Sequence, residues 1–137
     1  MPQFYRLTYF SCILLLLGNI LIGNAQKSSD ENLKLILKEK YKAYDSLQKY
    51  TAPFKKDSAS INSLIVESKK KSYKLGESYG ENMLGIYLRD NSKYKQALHH
   101  HNKSLSIALN IKNVEMQVSA LNMTGVVYRR IDAVRSA

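Results

Sequence analysis

The stretch ENMLGIYLRDNSKYKQA, Glu81 to Ala97, returns forty residues later as LNMTGVVYRRIDAVRSA, Leu121 to Ala137. A phrase repeated at a fixed period constrains a chain more tightly than its composition does. Each repeat unit buries its apolar face against its neighbours, and about three units are needed before the stack is stable. The second copy reaches Ala137 where its second helix is expected to begin, so the array is expected to continue in a longer chain.

The period within each phrase is helical. Upstream of the repeat, Leu33, Ile36, Leu37, Tyr41, Tyr44 and Leu47 recur at intervals of three and four, while Lys34, Lys38, Lys42 and Lys49 fall off that stripe. An amphipathic helix is expected there, from a capping box of Ser28 and Glu31 to about Tyr50. Pro53 in TAPFKKDS breaks it, and Asp57 or Ser58 can cap the next helix. That helix turns Ile61, Leu64, Ile65, Ser68, Ser72 and Leu75 inward, and Gly76 is expected to supply its left-handed C-terminal turn. A third helix runs from about Ser78 to Arg89, with Asp90–Ser92 as the turn. A fourth carries Tyr94, Ala97, Leu98, His101, Ser104, Leu105 and Ala108 inward and runs to about Ile111. The fifth, from Val114 to Arg130, repeats the third, with Val118, Leu121, Gly125 and Tyr128 inward. Alternating runs long enough for a strand are absent. The pattern therefore predicts an all-α fold of antiparallel helical hairpins.

Leu84, Gly85, Leu88, Tyr94, Ala97, His101 and Ser104 resemble the signature of the tetratricopeptide repeat, and Gly125, Tyr128 and Ala137 stand at the corresponding places of the second copy. A glycine in the first helix and an alanine twelve positions later let two antiparallel helices approach closely, with large residues filling the space beside them. The sequence departs from the family pattern in several places. Glu81 and Leu121 stand where a large aromatic is usual, Thr124 replaces a leucine, and Leu109 occupies a common proline position. The spacing of 40 from Gly85 to Gly125 exceeds the usual 34 and is similar to a longer-helix variant of bacterial signalling proteins. The resemblance covers 78–137 well, as one complete and one truncated repeat. It covers the hairpin 31–77 poorly, which is either a degenerate repeat or an N-terminal cap.

The resemblance implies a short α-solenoid that acts as a non-enzymatic interaction scaffold, presenting the first helix of each repeat on a concave surface to a protein or peptide ligand. Tyr79, Asn82, Ile86, Arg89, Asn122, Val126 and Arg129 fall off the buried stripe of those helices and are the candidate surface. The alternative is a sensory segment of a membrane-bound regulator, with a histidine kinase-like or helix-turn-helix output domain beyond Ala137.

Residues 1–25 have the layout of a secretory signal peptide. Arg6 precedes an apolar run from Cys12 to Ile22, and the small residues Gly23 and Ala25 mark cleavage after Ala25. An uncleaved anchor helix is the other reading; the run is short of the roughly 20 residues that span a bilayer, and Asn19 interrupts it. Export to the periplasm or beyond is therefore expected, with residues 26–30 as a linker. Cys12, the only cysteine, lies in the leader, so the mature chain would fold without disulfides. The formal charge is +10, and loss of the leader, with Arg6 its only charge, leaves +9. Sixteen of the 21 basic residues are lysines spread along the chain, which reads as a solvated basic face, and no nucleic-acid partner is expected. A membrane tether in a longer form and self-association through the open C-terminal repeat are the further partner expectations.

No catalytic, cofactor or metal site is read from the sequence. Consecutive helical residues point about 100° apart, so His99, His100 and His101 cannot share one tetrahedral ion, and His101 falls at an inward repeat position. Carboxylates are scattered singly, no glycine-rich phosphate loop is present, and Ser, His and Asp show no nucleophile spacing. Tyr128–Arg130 could touch an acidic ligand, but basic residues at a helix end also fit the helix dipole.

Overall fold

The computed structural model describes residues 28–136, and all of its regular structure is helical. The leader with its cleavage point, Cys12 and Ala137 lie outside the described residues. Helix α1 covers 28–39, α2 Tyr44–Thr51, α3 Ser58–Lys70, α4 Lys74–Asp90, α5 Tyr94–Asn110 and α6 Val114–Arg135, and a 3-10 turn, Ala52–Phe54, follows α2. Residues 28–30, expected as linker and cap, are already helical.

The single helix expected up to Tyr50 is two. Lys40 adopts a left-handed φ of 47° and its amide closes on the Ile36 carbonyl at 2.9 Å, which ends α1. The Lys40 ammonium caps the Lys71 carbonyl at 2.9 Å, and the Tyr73 hydroxyl donates to the Tyr41 carbonyl. The apolar stripe crosses the break undisturbed, with Ile36, Leu37 and Leu47 buried and Tyr41 and Tyr44 packed on the core. Periodicity alone therefore could not reveal it. Pro53 sits in the first turn of the 3-10 piece, where its missing N–H costs nothing. Asp57 caps α3 as expected, accepting from the Ala59 amide at 3.0 Å and the Ser60 hydroxyl at 2.6 Å. The Ser60 bond is the main reason its carboxyl is held below the usual range.

Three connections of one design join α3 through α6. Each places a left-handed residue in the middle: Ser72 at φ 54°, Ser92 at 60°, Lys112 at 54°. The next amide in each reaches back to a helix carbonyl: Tyr73 to Ser68 at 2.8 Å, Lys93 to Leu88 at 2.8 Å, Asn113 to Ala108 at 3.0 Å. These are Schellman turns made without glycine. Gly76 is therefore not a helix end. It lies in the first turn of α4, where a Cβ would come within 2.3 Å of the Tyr73 ring and 2.6 Å of Ser68 Oγ.

The turns return each helix antiparallel to the last, so α4 packs against α3 and α5 and also touches α6. The result is an all-α stack of antiparallel hairpins, a short solenoid. On α5, Ala97, His101, Ser104 and Ala108 are buried, as their spacing predicts. On α6 the expected face is wrong. Val118, Leu121 and Tyr128 are more than half exposed, nothing lies within 4 Å of a Cβ placed on Gly125, and the buried residues are Met116, Ala120 and Val127. The reason is the repeat itself, because α6 lies on α5 as α4 lies on α3. Met116 and Ala120 stand forty residues after Gly76 and Gly80, whose side of α4 meets Ser68 and Ile65 of α3. In addition, α6 runs to Arg135 rather than stopping near Arg130.

Candidate functional site

Helix α4 is the centre of the molecule: every residue from Leu75 to Gly85 is buried. Helices α3 and α5 lie on opposite sides of it. Against α5 the contact is close and polar. Ser78 Oγ donates to the Ser104 carbonyl at 2.9 Å, and Ser104 Oγ returns a bond to the Ser78 carbonyl at 2.8 Å. Both hydroxyls are thus satisfied where only small side chains allow the backbones to meet. One turn on, the buried Glu81 carboxylate pairs with His100 Nδ1 at 2.7 Å and with the Lys103 ammonium, which removes the cost of an isolated buried charge. Gly85 faces the His101 ring so closely that a Cβ would lie 2.5 Å from it.

His101 belongs to a buried chain of polar contacts. Its Nδ1 lies 2.7 Å from Asn82 Oδ1, which can only accept, so Nδ1 carries the proton. Asn82 Nδ2 donates to Ser119 Oγ at 2.9 Å, and Ser119 Oγ meets the Tyr44 hydroxyl at 3.1 Å. The chain ties α2, α4, α5 and α6 together. His101 Nε2 is buried without a partner. Burial first, then the nearby charges of Arg89 and His100, push the imidazole pKa down to about 4. His101 is therefore neutral at pH 7, with Nε2 as a bare acceptor.

On the flank of α4 that faces α2 a groove of about 310 Å³ opens. Tyr44 and Thr51 form one wall, Tyr79, Met83 and Ile86 the other, and Gln48 and Lys55 stand at the rim. The Tyr44 and Tyr79 rings meet edge to face at 5.3 Å, and the Thr51 hydroxyl lies 3.2 Å from the Tyr79 oxygen, so the walls are fixed. Burial is the main cause that pushes the Tyr79 phenol up to about 12, so it remains a neutral hydroxyl. Lys55 also borders a second cleft of about 340 Å³ with Lys56, Tyr87, Asp90 and Asn91. Apolar walls with a cationic edge suit an apolar side chain flanked by carboxylates.

Of the residues singled out from the sequence, Tyr79 and Ile86 line this groove. Asn82 is buried in the His101 chain. Arg89 is half-buried, bonded to Asp90 at 2.8 Å and resting on the Met123 sulfur at 3.5 Å. Asn122 and Arg129 are exposed on α6 and Val126 is half-buried there, and none of the three borders the groove. Sequence reasoning missed Tyr44, Thr51 and Lys55, since Tyr44 reads as part of a longer helix and Thr51 and Lys55 fall in the break around Pro53. Their only signal was the aromatic stripe through Tyr44. Among the described residues no three His, Cys, Asp or Glu side chains are placed to hold a metal ion, and no helix is long and apolar enough to cross a membrane. The chain matches no family model, and no curated protein and no solved structure matches it significantly.

Proposed function

We propose that the protein is a tetratricopeptide-type interaction scaffold, acting outside the cytoplasm, which holds an extended segment of another protein against α2 and α4. The observation that carries this reading is the groove lined by the Tyr44–Tyr79 ring pair between α2 and α4: pre-formed, mostly apolar, and walled by residues already fixed by ring and hydroxyl contacts. A rigid groove binds with little ordering cost on its own side. Lys55 at its edge and Lys56 in the adjoining cleft, on a chain of charge +10, favour a segment with an apolar anchor and neighbouring acidic residues. The repeated 40-residue phrase and the three matching turns support the family reading, since both are what a stacked helical repeat requires.

Selection of peptides from a random displayed library against the full chain tests this. Peptides carrying an aromatic or aliphatic anchor beside Asp or Glu should emerge. They should bind Ile86→Glu at least about tenfold more weakly, because a carboxylate at the wall repels both anchor and flanks. Leu109→Glu, on the exposed side of α5, should leave binding unchanged. Peptides indifferent to Ile86→Glu and lost with Leu109→Glu would place the binding surface on the opposite side and refute the proposal.

A further inference from the structure

One face of α6 is apolar, continuous and uncovered by the rest of the described chain. Val114, Val118, Leu121 and Tyr128 are 68, 51, 55 and 55% exposed, and with Gly125 they recur at intervals of four and three, which places them in one stripe. Forty residues earlier the same positions are Lys74, Ser78, Glu81, Gly85 and Leu88, and the middle three of these face α5 through Ser104, His100 with Lys103, and His101. The α4 stripe is polar and has a polar partner. The α6 stripe is apolar, so a helix built like α5, with His101 and Ser104 at its contact points, would leave polar groups unpaired against Val118 and Leu121.

We propose that this stripe is a homodimer interface, in which α6 packs antiparallel against α6 of a second copy about a two-fold axis passing near Leu121. Two features of the sequence on this face make it self-complementary. The first is shape. In that register Leu121 meets its own copy, Val114 meets Tyr128, and Val118 meets Gly125, beside which there is open space for a branched side chain. Larger residues thus oppose smaller ones on both sides of the central Leu121 pair. The second is charge. Glu115, Asn122 and Arg129 run along one edge of the stripe, and a two-fold axis brings like edges of antiparallel helices together. Glu115 of one copy then stands beside Arg129 of the other, and Asn122 beside Asn122. All three are exposed, and neither Glu115 nor Arg129 forms an ion pair within the described chain. A parallel arrangement would set this edge beside the partner's opposite edge, Gln117, Thr124 and Ile131, and leave Glu115 and Arg129 without an opposite charge. The stripe spans about 21 Å, fourteen residues at 1.5 Å each, a short contact that suits a micromolar, reversible dimer.

Disulfide trapping in the full chain tests the register rather than association in general, so stickiness of the apolar leader does not confuse the result. With Cys12 changed to serine, the chain has no other thiol. Leu121→Cys should then form a covalent dimer under mild oxidation. Val114→Cys alone and Tyr128→Cys alone should not, because each lies about 21 Å from its own copy, but an equal mixture of the two should cross-link. Adding Glu115→Arg to Leu121→Cys should slow trapping about tenfold by setting two arginines together, and the further change Arg129→Glu should restore it. Folding is followed in each variant by circular dichroism, and the exposed positions chosen leave the core intact. Absence of the Leu121→Cys dimer overturns the proposal and leaves the stripe to another molecule or a further helix. Cross-linking of Val114→Cys alone, or no rescue by the charge swap, overturns the antiparallel register.

Discussion

Gly85 and Gly125 occupy the same place in the two copies of the repeat, yet alanine should act on them unequally. At Gly85 a Cβ would lie 2.5, 2.7 and 2.9 Å from three atoms of the His101 ring. That ring cannot swing aside freely, because it is fully buried and its Nδ1 is held by Asn82 at 2.7 Å. Overpacking of this kind costs about 1–3 kcal/mol, against about 1 kcal/mol gained from the better helix propensity of alanine. Gly85→Ala should therefore range from nearly neutral to about 2 kcal/mol destabilising. At Gly125 a Cβ meets nothing within 4 Å, so only the propensity gain remains and Gly125→Ala should stabilise by about 1 kcal/mol. The difference between the two, about 1–3 kcal/mol, is the quantity to measure, by urea denaturation followed at 222 nm and at protein concentrations low enough to keep the α6 stripes apart. Gly85→Ala should also lose its cost in a His101→Ala background, where the obstructing ring is gone. Equal effects at the two glycines would refute the packing assigned to α4 and α5, and so would a penalty that persists without His101.

The buried imidazole makes stability depend on acid. Its folded pKa of about 4 lies below the ordinary 6.5, so the unfolded chain binds the extra proton first, and stability present above pH 6.5 should fall by about 2 kcal/mol between pH 7 and pH 5. Denaturation curves at the two pH values measure this, and His101→Ala should flatten that dependence while lowering stability overall. Asn82→Ala should cost about 1–3 kcal/mol, since it strips His101 Nδ1 and Ser119 of a partner at once, as a thermal melt would show. Lys112→Gly should raise stability by about 0.5–1 kcal/mol by relieving a left-handed φ of 54° in the α5–α6 turn, whereas a fall would mean that the turn is not of that kind.

Much of the fold could be read from spacing. The inward face of α5 follows from Ala97, His101, Ser104 and Ala108, and Asp57 caps α3 as expected. What escaped has specific causes. Ser72, Ser92 and Lys112 make left-handed turns that are usually marked by glycine, so Gly76 looked like a helix end although its true role is close packing on Tyr73 and Ser68. Lys40 ends α1 with no proline or glycine nearby and with the apolar stripe uninterrupted. The repeat located α6 but could not orient it. Helix α4 is buried on several sides at once, so copying its pattern onto α6 cannot say which of those sides α6 keeps buried. The same ambiguity explains the candidate surface. Tyr79 and Asn82 do lie on the flank of α4 that faces α2 and α6, but those helices close over them, and only the opening beside Tyr79 and Ile86 remains as a groove. The other wall of that groove comes from Tyr44 and Thr51, which no feature of the repeat singled out.

Nuclear magnetic resonance mapping of one selected peptide on the full chain tests the central claim most directly. Amide shifts should move at Tyr44, Thr51, Tyr79, Met83 and Ile86, with smaller changes at Lys55 and Lys56, and residues of the exposed side of α5 such as Asn102, Ser106 and Leu109 should stay still. Changes confined to α5, or to the Val114–Tyr128 stripe of α6, would contradict the assignment of the α2–α4 groove as the place where this protein holds its partner.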